Sequence, residues 1–97
     1  MLDVVRMFLE DCPIRVEAIR AAVEDADAAR IRATAHTLKG SAGYLSARFV
    51  VDAAAALEMM GLEGRIAEAA AGFERLTAAV AQLIPELRSW LNSVQAD

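Results

Sequence analysis

The stretch IAEAAAGFERLTAAVAQLIPELRSWLNSV, residues 66–94, places apolar side chains at Ile66, Ala69, Phe73, Leu76, Val80, Leu83, Leu87, Trp90 and Val94. Steps that alternate between three and four residues keep one side chain per turn on the same face of a helix, so this stretch reads as one long amphipathic helix. Phe73 and Trp90 lie on the stripe and are expected to anchor a core. Pro85 lies off it and predicts a bend rather than an end.

Working backwards, Gly61 and Gly64 mark a turn, and before them Val50, Ala53, Leu57 and Met60 outline a helix from about Ala47. Another helix begins near Asp27, an N-cap residue type, and runs through Ile31, His36 and Leu38 toward Gly43 to Ser46. At the start, Leu2, Val5, Phe8 and Leu9 lead to Cys12-Pro13, where proline removes an amide donor and predicts a break or kink. Val16, Ile19 and Val23 then continue to the acidic run Glu24-Asp25-Ala26-Asp27. No alternating β-branched pattern and no Asn-Gly or Asp-Gly turn occurs. The expected fold is all-α: an antiparallel four-helix bundle with a short additional N-terminal helix, formed by residues 1–97 as a single domain and a monomer.

Composition narrows the function. Hydrophobic residues are 57% of the 97 but aromatics only 5%, so the apolar surface is spread over small side chains that suit closely packed helices. No apolar run approaches the roughly 20 residues of a bilayer span, and Asp3, Arg6 and Glu10 break up the N-terminus, so neither membrane insertion nor a signal peptide is expected and a cytoplasmic location follows. A net charge of −4 argues against nucleic acid as a partner and for protein. Cys12 stands alone and reads as a packing residue, with no second thiol for a disulfide or a metal.

His36 is the sole histidine. On a helix at about 100° per residue, Ile31, Thr34, Leu38, Ala42 and Leu45 fall opposite it, whereas Ala29, Arg32, Ala33, Lys39, Gly40 and Gly43 share its side. The ring is therefore expected in solvent rather than in the core. A metal would want a second ligand one turn away, and those positions are Arg32, Ala33, Lys39 and Gly40. A general base would want an orienting carboxylate and a pocket, which the sequence does not display. A plain surface histidine remains open, but Gly40 inside a helix costs about 1 kcal/mol relative to alanine, in a chain otherwise rich in alanine. That space invites the close approach of another protein. Lys39 and Arg32 are placed to pair with phosphoryl oxygens, and an imidazole is largely neutral and nucleophilic near pH 7.

The run Ala35-His36-Thr37-Leu38-Lys39-Gly40-Ser41-Ala42-Gly43 resembles the signature of histidine-containing phosphotransfer domains, commonly A-H-x-L-K-G-S-A followed by a Leu-Gly-Ala turn. Leu57-Glu58 is similar to the leucine-glutamate pair such domains carry on the next helix, and the resemblance spans nearly the whole chain in helix order. Tyr44 departs from a place often held by a small polar residue, and Ser46 from one usually held by glycine. The resemblance implies a phosphorelay intermediate in which His36 accepts the phosphoryl group, Lys39 supports it and Gly40 gives docking clearance; Arg32 and Gly43, on the same helix face, are expected to share in the phosphate support and the clearance respectively. It implies as partner the receiver domain of a response regulator or hybrid histidine kinase, whose aspartate exchanges the phosphoryl group. No cofactor and no resident metal are expected, and the domain is a phosphocarrier rather than an enzyme, because no phosphate-binding loop or Mg²⁺-holding carboxylate cluster is present and the receiver must supply them.

Two alternatives are less well matched. The phosphoacceptor part of a sensor kinase resembles His-Glu-hydrophobic-basic-x-Pro, whereas Thr37 follows His36 here and no proline comes within the next turn. A helical scaffold module with an unphosphorylated histidine is the other. Glu17, Arg20, Glu58, Arg65 and Arg75 read as solvated helix faces, and exposed apolar residues on the preceding helix are expected to complete a docking surface.

Overall fold

The computed structural model describes residues 2–95 and shows four helices: α1 (Leu2–Glu24), α2 (Ala28–Gly43), α3 (Arg48–Glu63) and α4 (Ile66–Gln95). α1 packs on α2, α2 on α3, α3 on α4, and α4 back on α1, with the densest contact between α2 and α3. Short turns make successive helices antiparallel. Ile19, Ile31, Leu38, Leu57, Leu76, Val50 and Cys12 are the largest fully buried side chains, and they come from all four helices.

The expected additional N-terminal helix does not exist as a separate element, since α1 continues through Pro13. Val5, Phe8, Cys12, Ile19 and Ala22 are buried along one face that crosses the proline without a change of register. Burying a Val, Leu, Ile or Phe side chain yields about 1.5–3 kcal/mol, so a few of them offset the ~3 kcal/mol that proline costs a helix interior. Pro13 itself is exposed. α4 likewise passes through Pro85 without ending.

α1, α2 and α3 end in the same hydrogen-bond pattern, in which a left-handed residue folds the chain back onto the last turn. After α1, Asp27 N donates to Ala22 O (3.1 Å) and Ala26 N to Val23 O (3.1 Å), with Ala26 at φ 52°. After α2, Ala47 N donates to Ala42 O (3.2 Å) and Ser46 N to Gly43 O (3.1 Å), with Ser46 at φ 54°. After α3, Arg65 N donates to Met60 O (2.8 Å) and Gly64 N to Gly61 O (3.3 Å), with Gly64 at φ 70°. Only the third uses glycine. The conformation that a glycine would adopt at position 46 is therefore kept by Ser46, so the departure from the family pattern leaves the turn in place.

Two expectations need correction. Gly61 lies inside α3 rather than in the turn, and a Cβ there would stand 2.6 Å from Arg32 N and 2.8 Å from Ala28 O. It is the point at which the α2 and α3 backbones touch. Trp90 is 39% exposed rather than a core anchor, while Phe73 is partly buried against the core. At 1.5 Å per residue α4 is about 45 Å long, whereas its neighbours α1 and α3 are about 35 Å and about 24 Å. Its C-terminal turns therefore outrun the bundle, and burial along the stripe fades toward Val94. No described helix is long and apolar enough to cross a membrane.

Candidate functional site

α2 owes its start to Asp27, whose carboxylate accepts a hydrogen bond from Arg30 N at 3.1 Å. Ile31, Ala35, Leu38 and Ala42 are buried on its inner face, with Thr34 and Leu45 half-buried beside them. This register turns His36 outward, with 66% of its side chain exposed.

Glu58 reaches the ring from α3. Its Oε2 lies 2.7 Å from His36 Nδ1 and its Oε1 lies 2.6 Å from Lys39 Nζ, so one carboxylate clasps both residues. The arrangement depends on Gly61, one turn further along α3, which lets that helix lie against α2 closely enough for a short side chain to span the gap. Glu58 is only 18% exposed, in contrast to the solvated position expected of it. Its carboxyl is held below its ordinary value: the hydrogen bond from Lys39 is the largest cause, partial burial opposes it, and the hydrogen bond from His36 adds to it. Glu58 is accordingly ionised at neutral pH.

An ionised carboxylate can only accept, so Nδ1 must carry the hydrogen in this contact. In the neutral ring that leaves the lone pair on Nε2. The carboxylate thereby selects the tautomer and holds the ring in one orientation, as carboxylate partners of working histidines do.

The other candidate residues fall around this pair. Arg32 is exposed and shares a hollow with Ala29, Ala33, His36, Thr37 and Glu58. Lys39 is half-buried and points to Glu58, although an ammonium keeps further N–H groups for a second acceptor. Gly40 and Gly43 are exposed, and a Cβ at either would meet nothing within 4 Å. No packing inside the protein accounts for these two glycines. Among the described residues no group of three or more His, Cys, Asp or Glu is placed to hold a metal ion.

The residue that sequence reasoning undervalued is Glu58. Ala54, Leu57 and Gly61 are buried, and Glu58 stands within one turn of each, at the border of the buried face of α3. That position and the Leu57-Glu58 pair were the available signals. Which residue of α2 it meets depends on how the two helices slide past each other.

Neither the curated proteins nor the solved structures contain a match to the chain. A family model does match: the Hpt domain, over residues 3–90, which takes in all of α2 and α3 and most of α1 and α4. Hpt domains are phosphocarrier modules of two-component signalling that transfer phosphoryl groups through a histidine. With a match of that extent around an exposed imidazole, the chain belongs to the histidine phosphotransfer (Hpt) domain family.

Proposed function

We propose that the chain is a phosphorelay intermediate that takes a phosphoryl group onto His36 Nε2 from an aspartyl phosphate of a receiver domain and returns it by the reverse step. The observation that carries this reading is the contact of His36 Nδ1 with Glu58, which leaves Nε2 as the nucleophile on a ring that is 66% exposed. The Nε2 lone pair attacks phosphorus as the bond from phosphorus to the aspartyl oxygen breaks, and that oxygen keeps the electron pair to restore the carboxylate. No proton has to move, because Nδ1 already carries its hydrogen. The phosphorylated ring is an imidazolium, whose positive charge is balanced by Glu58.

Lys39 and Arg32 supply cations for the phosphoryl oxygens, and Gly40 and Gly43 leave room for the receiver to come close. The large exposed apolar side chains on α1, Val4, Met7 and above all Ile14 at 70% exposure, together with Tyr44 past the end of α2, add non-polar docking area. The chain acts as one monomeric module in the cytoplasm. Its receiver, belonging to a response regulator or hybrid histidine kinase, contributes the divalent metal and the remaining transition-state stabilisation.

The test is to mix the protein with a panel of phosphorylated receiver domains and follow acid-labile, alkali-stable label. Wild type should take up label and the His36→Gln variant none. Equal labelling of the two would overturn the reading, and absence of label from both would favour a scaffold role.

A further inference from the structure

Arg15 stands on α1 at its seam with α2, bordering one groove with Met7, Ser41 and Tyr44 and an adjoining one with Ala33 and Thr37. Ala33 and Thr37 also border the hollow that contains Arg32, His36 and Glu58. Small side chains on a shared ridge are therefore what separates Arg15 from the imidazole. A convex surface lowered onto His36 has to rest on that ridge, which places it within reach of Arg15.

The guanidinium is poorly used inside the protein. Among the described residues its ion pair is with Asp11 at 3.7 Å, longer than a hydrogen bond, and its buried Nε has no partner. The buried Nε is closed to a visitor, but the outer N–H groups of the fork, engaged only by that long pair, can donate to a second acceptor. A planar fork of N–H groups suits a carboxylate above other acceptors. On this reading the visiting surface presents an anionic aspartyl phosphate and the carboxylates that hold its divalent metal, and so carries charge of the sign that a guanidinium attracts.

We propose that Arg15 is a docking residue, which exchanges its weak pair with Asp11 for a carboxylate on the receiver and so contributes to the choice of receiver. This inference rests on the reading of His36 as the phosphoryl carrier. In the complex, Arg15 holds one side of the receiver while His36 engages the phosphoryl group across the Ala33 and Thr37 ridge.

The test uses the full chain and a receiver domain charged with acetyl phosphate and then desalted, with phosphoramidate as a small donor that needs no docking. For Arg15→Gln, the KM for the charged receiver should rise about tenfold with kcat kept, and its dependence on salt should flatten. Arg15→Lys should recover part of the loss, and Asp11→Asn should lower KM. An unchanged KM and salt slope in Arg15→Gln, in a protein whose wild type is charged by the receiver, would overturn the docking role while leaving the carrier reading intact. Equal slowing with receiver and phosphoramidate would also overturn it, by showing a structural effect on His36. Failure of the wild type to be charged by any receiver would overturn the carrier reading and this inference with it.

Discussion

Glu58 Oε2 and His36 Nδ1 lie 2.7 Å apart although 22 positions separate them in the chain. The contact gives the ring a fixed orientation and a free Nε2, both of which a flexible surface histidine lacks. Replacing Glu58 should therefore affect the rate of transfer more than the binding of the receiver. Glu58→Ala is expected to slow single-turnover transfer about 10- to 100-fold, the range found when metal-bound histidines lose their carboxylate partners. Nitrogen NMR shifts of the ring should report a mixture of tautomers in the variant and predominantly Nδ1–H in the wild type. Equal rates would show that the contact is incidental.

The same carboxylate makes a pH-dependent contribution to stability. Its folded value lies below its ordinary value of 4.5. Stability from a depressed carboxyl is present above the unfolded value and lost as pH falls through the folded one. The difference in melting temperature between wild type and Glu58→Gln should be constant near neutrality and shrink in acid below about pH 4.5. Thermal melts of both proteins from pH 7 to pH 3 would check this; a gap that widened in acid would contradict it.

Gly40 and Gly61 are both helical glycines, yet the same substitution should act in opposite directions. A Cβ at position 40 meets nothing within 4 Å, whereas one at position 61 would collide with the backbone of α2. Gly40→Ala is expected to stabilise the fold by about 1 kcal/mol through helix propensity. Gly61→Ala should destabilise it by about 1–3 kcal/mol, because two backbones must separate. A larger side chain at position 40, such as glutamine, should keep the gain in stability while hindering transfer from the receiver. Urea unfolding and transfer assays on the three variants separate these effects.

The three left-handed residues after α1, α2 and α3 offer a further comparison. Ala26 and Ser46 occupy a conformation that suits glycine, at φ 52° and 54°, and Gly64 occupies it at 70°. The conformation costs L-residues about 1–2 kcal/mol, which is partly offset by the greater freedom of glycine in the unfolded chain. Ala26→Gly and Ser46→Gly should each raise stability by about 0.5–1 kcal/mol, and Gly64→Ala should lower it by about 1 kcal/mol. Denaturant midpoints at constant m-value would register all three. The Ser46 result bears on function as well, because that turn closes the helix that carries His36.

Helix periodicity accounts for how much of the site could be read before any coordinates. A 100° step per residue places Ile31 and Leu38 about 140–160° from His36 and Ala42 about 120° from it, and those three are fully buried in the structure. Asp27 as the cap of α2 and the helical run from Ile66 were legible for the same local reason. Local rules failed where they met packing. Pro13 predicted a break because proline disfavours a helix interior, but the buried face that continues across it outweighs that preference. Trp90 lies on a perfect stripe and is still partly exposed, because α4 is longer than the helices that would cover it.

Order along the chain, the helical class and the outward aim of the imidazole all follow from interactions between residues within a few positions of one another, and these are present in any linear reading. The partnership of Glu58 with His36 and Lys39, the backbone contact at Gly61, and the ridge between Arg15 and the imidazole join different helices. Their geometry depends on how far one helix slides and rotates against the next. That offset is set by the shapes of many side chains packed at once, and so it exists only in the folded molecule.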